Sequence, residues 1–171
     1  MEHWSDFEIV QVPKKQHLIK AGNYYGKIVI VISGLFRAYY QQDKTEHTFW
    51  FREENTIFAS HRSILQHKAS SISYQAIEDS VVAVIEYSLL KQMSISDAEI
   101  DKSIIAALES LILELIDRVE EFVTLQPEER YKLFIDKHSN IITRLPQNQL
   151  ASYLGIKPVS FSRMKSRMMN R

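Results

Sequence analysis

The 171-residue sequence contains no cysteine. Disulfides, thiolate zinc sites and cysteine-ligated iron–sulfur clusters are therefore excluded, and the composition fits a reducing cytoplasm. Glycine and proline are scarce, at four each, beside a 45% hydrophobic share. That balance describes a compact chain rather than a linker-rich or disordered one. No apolar run approaches the roughly 20 residues that a membrane-spanning helix needs, so no membrane partner is expected. The opening stretch from Met1 to Val12 carries Glu2, Asp6 and Glu8 and lacks the apolar core of a secretory signal. The last absence is the most informative: no Asp or Glu follows Asp136. Seven of the 21 basic residues (Lys137, Arg144, Lys157, Arg163, Lys165, Arg167 and Arg171) fall in that acid-free stretch, so the net charge of zero divides into −7 and +7. An acidic body with a basic head is a distribution suited to reading nucleic acid.

The length allows one large domain and a small one. Residues from about 8 to 87 read as short strands parted by turn signals. Lys27–Ile32 is β-branched and is stopped by Ser33-Gly34, and Leu35–Tyr40 resumes it. Thr45–Arg52, Ser71–Ala76 and Val81–Ile85 supply further strands. With no helical crossovers between them, they imply an antiparallel sandwich or barrel. The period then changes. Ser96-Asp97-Ala98-Glu99 reads as a capping box, with Ser96 as the cap, opening a long helix that runs to about Leu125. Ile104, Leu108, Leu111, Leu115, Phe122 and Leu125 make one apolar seam, and Ile105, Ile112, Ile116, Val119 and Val123 make a second stripe beside it. One stripe must bury against the chain itself and the other elsewhere. The partner is either the same helix of a second subunit, as a parallel coil, or the interior of the monomer. A sandwich of about eighty residues is too small to cover both faces, which favours the dimer. We assign Ile104, Leu108, Leu111, Leu115 and Phe122 to its interface. Gln126-Pro127 punctuates, and Pro127 with Glu128 and Glu129 suits the first turn of a new helix ending near His138.

Residues 147–166 carry the functional signal. Two helices that cross closely need a small residue at the contact, which Ala151 supplies, and the tight turn between them needs a residue tolerant of positive φ, which Gly155 supplies. Leu150, Leu154, Ile156, Phe161 and Met164 would form the small core, and Pro158 stands where a helix tolerates a missing amide. Lys157, Val159, Ser160, Ser162, Arg163, Lys165 and Arg167 are left pointing outward with no acid among them. This is the pattern of a helix-turn-helix, and double-stranded DNA is the expected partner, met by those residues together with Gln147 and Asn148.

With these motifs in place, the chain resembles the cyclic-AMP receptor/FNR (Crp/Fnr) family over nearly its full length. Ile32-Ser-Gly-Leu-Phe-Arg37 and Ala76-Ile-Glu-Asp-Ser80 match the family's β-roll in order and spacing. Pro127-Glu-Glu-Arg-Tyr131, Leu145-Pro146-Gln147, Ala151–Ile156 and Ser162-Arg163 are similar to the branch common in Bacteroidetes-like bacteria. The resemblance implies an α+β chain in three units: a cyclic-nucleotide-binding-like jelly roll over 1–95, a dimerisation helix over 96–126 and a helix-turn-helix domain over 127–171. It implies a homodimeric cytoplasmic transcription regulator, not an enzyme, with RNA polymerase as a further candidate partner. Two departures are that the chain starts close to its first strand, without the family's leading helix, and ends soon after the recognition helix.

In relatives that bind cyclic nucleotides, a Gly-Glu pair takes the ribose and an Arg about ten residues on grips the phosphate. Here Ala59-Ser60 stands for the pair and Ser70 for the Arg. Cyclic-nucleotide binding is therefore not expected, no cofactor is assigned, and Phe58, Ala59, Ser60, Ser70 and Ser71 mark the place where an unidentified effector would sit. His47, His61 and His67 lack the pairing and carboxylate of a metal site. Two other functions compete: a small-molecule-binding β-roll whose helical tail makes protein contacts only, and a cupin-like enzyme, which would need a clustered His/Glu site.

Overall fold

The computed structural model describes residues 4–169, apart from the side chains of Trp4 and Met169. Glu2 and Arg171, counted in the charge, lie outside the described residues. A short 3-10 turn (Trp4–Asp6) leads into eight strands: β1 (Glu8–Val12), β2 (His17–Ile19), β3 (Lys27–Ser33), β4 (Phe36–Gln42), β5 (Thr45–Arg52), β6 (Ile57–Ala59), β7 (Ser73–Ala76) and β8 (Ser80–Glu86). They form two antiparallel four-stranded sheets, ordered β1-β8-β3-β6 and β2-β7-β4-β5. This is the antiparallel sandwich expected from the strand runs, in the jelly-roll form that the family resemblance implies. Its interior is filled by alternate residues of both sheets, among them Val29, Val31, Phe36, Ala38, Tyr74, Val82 and Val84. The Ser33-Gly34 stop has a steric cause. Gly34 adopts φ +98°, and a Cβ there would lie 2.2 Å from the Ser80 hydroxyl, so no other residue fits without moving β8.

Helices follow and interrupt. α1 (His61–Gln66) sits between β6 and β7, and α2 (Tyr87–Ser96) precedes the long α3 (Ala98–Thr124); neither short helix is among the elements expected from the sequence. α2 also shifts the predicted cap. Ser96 ends α2, donating its hydroxyl to the Met93 carbonyl at 3.1 Å. Asp97 caps α3 instead, its carboxylate accepting from the Glu99 amide at 2.9 Å. A carboxylate at the positive end of a 27-residue helix does the same work one position later. α4 (Pro127–Lys137) begins at the expected proline, with the Glu129 carboxylate accepting from the Gln126 amide at 2.7 Å. α5 (Gln147–Tyr153) and α6 (Pro158–Met169) complete the chain.

The expected boundary at Gln126-Pro127 marks a change of element, but packing crosses it. Leu35, Phe51 and Ile77 of the β-roll share one core with Tyr131, Phe134, Ile141, Leu145 and Tyr153 of the helices. Phe51 lies 5.4 Å from the Tyr153 ring and 6.0 Å from that of Phe134.

Candidate functional site

α5 and α6 meet at the small residue, as the pattern predicts. Ala151 and Leu154 are fully buried, Phe161 and Met164 nearly so, and Ile156 packs at the edge. Gly155 takes φ +74° in the turn, and the Ile156 amide donates to the Ala151 carbonyl at 3.0 Å. The outer face of α6 is open: Lys157, Val159, Ser160, Ser162, Arg163 and Arg167 are exposed, as are Gln147 and Asn148 at the start of α5. Lys165 is half-buried, so it reaches outward less freely than its neighbours. Among the described residues none of these cations has an acidic partner.

The pair is fastened to the β-roll by polar contacts as well as by the shared core. The Ser152 hydroxyl accepts from the Thr48 amide at 2.9 Å and donates to the Glu46 carbonyl at 3.0 Å, tying α5 to β5. Arg144 forks onto both oxygens of Glu54, at 2.8 and 3.1 Å, and also reaches Glu78. Glu54 accepts from the Gly34 amide at 2.8 Å as well. The Arg144 hydrogen bonds hold the Glu54 carboxyl down to about 2. A depressed carboxyl contributes stability that is present above its ordinary range near 4.5 and is lost as pH falls toward 2. With solvent screening at a rim position, that contribution is about 1–2 kcal/mol. Glu54→Gln should therefore lower the melting temperature at pH 7 and remove much of the wild type's decline between pH 4.5 and 2. Parallel acid-melting curves for the two proteins would count against the clasp.

α3 presents two faces. Toward the body, Leu111 packs on the β-roll core, Glu114 meets Arg52 at 2.7 Å, and Phe122 lies under the turn at Gly155. Away from it, Ile105, Leu108, Ile112, Leu115, Ile116, Val119 and Val123 are exposed, Val119 by 63%. The predicted seam thus divides. Leu108 and Leu115 lie on the open stripe and Ile104 is half-buried; Leu111 packs on the β-roll, and Phe122 sits at the edge between the two faces, its ring against the Gly155 turn yet 43% exposed.

The predicted effector pocket is packed. Phe58 is 3% exposed, stacked 4.3 Å from Tyr74 and set against Phe36. Burial pushes the Tyr74 hydroxyl up to about 12. Ser60 caps α1 and bonds Ser63 at 2.9 Å, while the Ser70 hydroxyl closes on Ile72. Ala59 is a buried residue of β6, and Ser71 is half-buried beside Ser70. These hydroxyls serve their own loop. A cavity of about 280 Å³ opens instead where β5, α3 and α4 meet, but its charges pair with one another: Arg52 with Glu114, and Lys137 with Glu121 and Asp117. His61 and His67 bracket α1, and His47 lies exposed on β5. Among the described residues no group of three or more His, Asp or Glu could hold a metal ion, and no helix is long and apolar enough to cross a membrane.

A jelly roll of two four-stranded antiparallel sheets leads into a long helix and a smaller helical group. Residues 9–97, a little over half of the chain, match the cyclic nucleotide-binding domain family, and the chain belongs to that family. No curated protein matches it in sequence. Among solved structures it is similar to FixK2 from Bradyrhizobium japonicum, with a TM-score of 0.83 at 15% identity, covering 96% of this chain and 85% of that one. It is similar to a CooA variant from Carboxydothermus hydrogenoformans, with a TM-score of 0.79 at 17% identity, covering 99% and 79%. A third is CLP, the c-di-GMP-responsive global regulator of Xanthomonas campestris, with a TM-score of 0.78 at 15% identity, covering 98% and 88%. The fold shared with these three structures takes in the β-roll and the helices together.

Proposed function

We propose that the chain is a homodimeric, sequence-specific DNA-binding transcription regulator of the Bacteroidetes-like branch of the Crp/Fnr family. It acts in the cytoplasm, is not an enzyme, and has a β-roll that takes no cyclic nucleotide. The observation that carries this reading is the exposed, acid-free face of α6, seated by a glycine turn on α5 as in a helix-turn-helix. A recognition helix enters the major groove with base-reading side chains flanked by phosphate contacts, which an acid would repel. The open stripe of α3 supports the dimer, and the filled space between Phe58 and Tyr74 supports the lack of a nucleotide. RNA polymerase is the further partner such a regulator would meet.

The test is duplex binding followed by fluorescence anisotropy. Six to ten phosphate contacts per dimer would weaken affinity by about a thousandfold or more between 50 and 200 mM salt. Absence of salt-dependent binding would leave the tail to protein contacts. Millimolar cyclic AMP or cyclic GMP should leave the melting temperature unchanged, whereas a ligand at one hundred times its Kd would add about 2.7 kcal/mol of stability.

A further inference from the structure

Two arginines on different helices converge on the turn between α5 and α6. Arg118, in the last third of α3, is 6% exposed, and Arg130 on α4 is 9% exposed. The Arg118 guanidinium donates to the Tyr153 carbonyl, and that of Arg130 donates to the Leu154 carbonyl at 2.9 Å. These carbonyls close the C-terminal end of α5, where the helix dipole favours cations and the last acceptors have no partner within the helix. Arg130 also donates to the Leu125 carbonyl at 2.6 Å, tying the α3–α4 junction to the same point. Both guanidinia stack on Phe122, at 4.4 and 4.6 Å, and Arg118 lies 3.6 Å over the Tyr153 ring. A Cβ on Gly155 would stand 2.8 Å from the Phe122 ring, so the turn rests directly on α3. Burial lowers the pKa of Arg118, with Glu121 at 3.6 Å as its nearby acid.

The same turns of α3 carry Val119 and Val123 on the open stripe. One face of α3 therefore grips the turn that leads into α6, while another offers the apolar stripe to a second copy. We propose that Arg118 and Arg130 are positioning residues for DNA reading: they lock α6 to the axis of α3, so that the spacing between the two recognition helices of a dimer is set at the dimer helix. This rests on the DNA-binding reading for its second consequence and on the geometry alone for its first.

Arg118→Met keeps an apolar stem between Tyr153 and Phe122 and removes the fork, leaving Glu121 its 3.1 Å contact with Lys137. The chain has no cysteine, so Lys44→Cys and Ser166→Cys can be spin-labelled as a pair and diluted with unlabelled protein. Wild type should give one narrow distance between the β-roll and α6, and Arg118→Met should at least double its width. An unchanged width overturns the proposal, since the β5 contacts would then suffice. In the second arm, wild type and variant bind a symmetric duplex, the same duplex with its half-sites moved two base pairs apart, and a single half-site. Loss of one charge-assisted hydrogen bond should cut the spacing preference about tenfold, with single half-site affinity held within about twofold. An equal fall on all three duplexes marks a merely structural residue and also overturns the proposal. Should wild type bind no duplex, the DNA reading fails, while the label distance still decides the lock. Arg118→Lys, which keeps the charge without the fork, is measured alongside and carries both arms where the Met variant does not fold.

Discussion

Replacing Ile112 and Val119 together with glutamate is expected to turn the proposed dimer into a folded monomer at micromolar concentration. Both side chains are exposed in the single chain, by 54% and 63%, so neither contributes to the core of its own subunit. They are seven residues apart, and with Ile105, Leu108 and Leu115 they follow the alternating three-and-four spacing of a parallel coil. Fully burying an aliphatic side chain of this size contributes about 1.5–3 kcal/mol, and a two-fold seam buries each twice. Glutamates in their place would put like charges against each other out of water, at several kcal/mol more. Dimer affinity should fall by about a thousandfold or more, because each factor of ten corresponds to about 1.4 kcal/mol. Light scattering should report about half the wild-type mass, with the melting curve of the β-roll retained. A double variant that stays dimeric at micromolar concentration would show that the open stripe is not the seam. Leu111→Glu is the contrasting variant: Leu111 packs on the β-roll core, so its replacement should damage the fold itself.

The contrast between Leu111 and Ile112 shows where the sequence stops being informative. Two adjacent apolar stripes are visible on α3, but their period is the same. Which one faces inward depends on the body laid beside the helix, and periodicity carries no record of that. The strands are legible for the opposite reason. β-branched runs and the Gly34 stop act locally, and Gly34 is required by the approach of Ser80. The helical pair is legible too, because Ala151 and Gly155 meet demands within a few residues. The fastening of that pair is not. Ser152 bonds a strand 104 positions away, and Arg144 bonds Glu54 across 90. Arg118 signals itself only as a cation in the seam position between Leu115 and Phe122, a break in the apolar spacing that names no partner. In the β-roll, Ser60 and Ser70 can be read as departures from a phosphate-gripping motif. That Phe58 beside them stacks on Tyr74 in the core emerges only from the fold.

Arg163→Ala is expected to relax the base preference of DNA binding at one position of each half-site and to cost about 1–3 kcal/mol there. Two-fold symmetry would place the two recognition helices in successive major grooves, so half-sites should lie about 34 Å, or one helical turn, apart on a near-palindrome. Arg163 is exposed near the middle of α6, and its planar fork suits the O6 and N7 acceptors of guanine. Ser160 and Ser162 flank it and could meet a base edge or a phosphate. Arg167 lies a full turn further on, also exposed, where the helix would be leaving the groove. Arg167→Ala should weaken all sequences alike and reduce the salt slope by about one unit for each phosphate left without its cation. Lys165, also placed outward by the sequence pattern, is half-buried, so Lys165→Ala should have the smaller effect of the two. Pro158 stands where some relatives carry a second base-reading Arg, so the operator should be defined at fewer positions. Selection from random duplexes, run with wild type and both arginine-to-alanine variants, measures preference and affinity separately. If Arg163→Ala retains the wild-type preference while Arg167→Ala alters it, α6 docks in another register and the roles of the two arginines are exchanged.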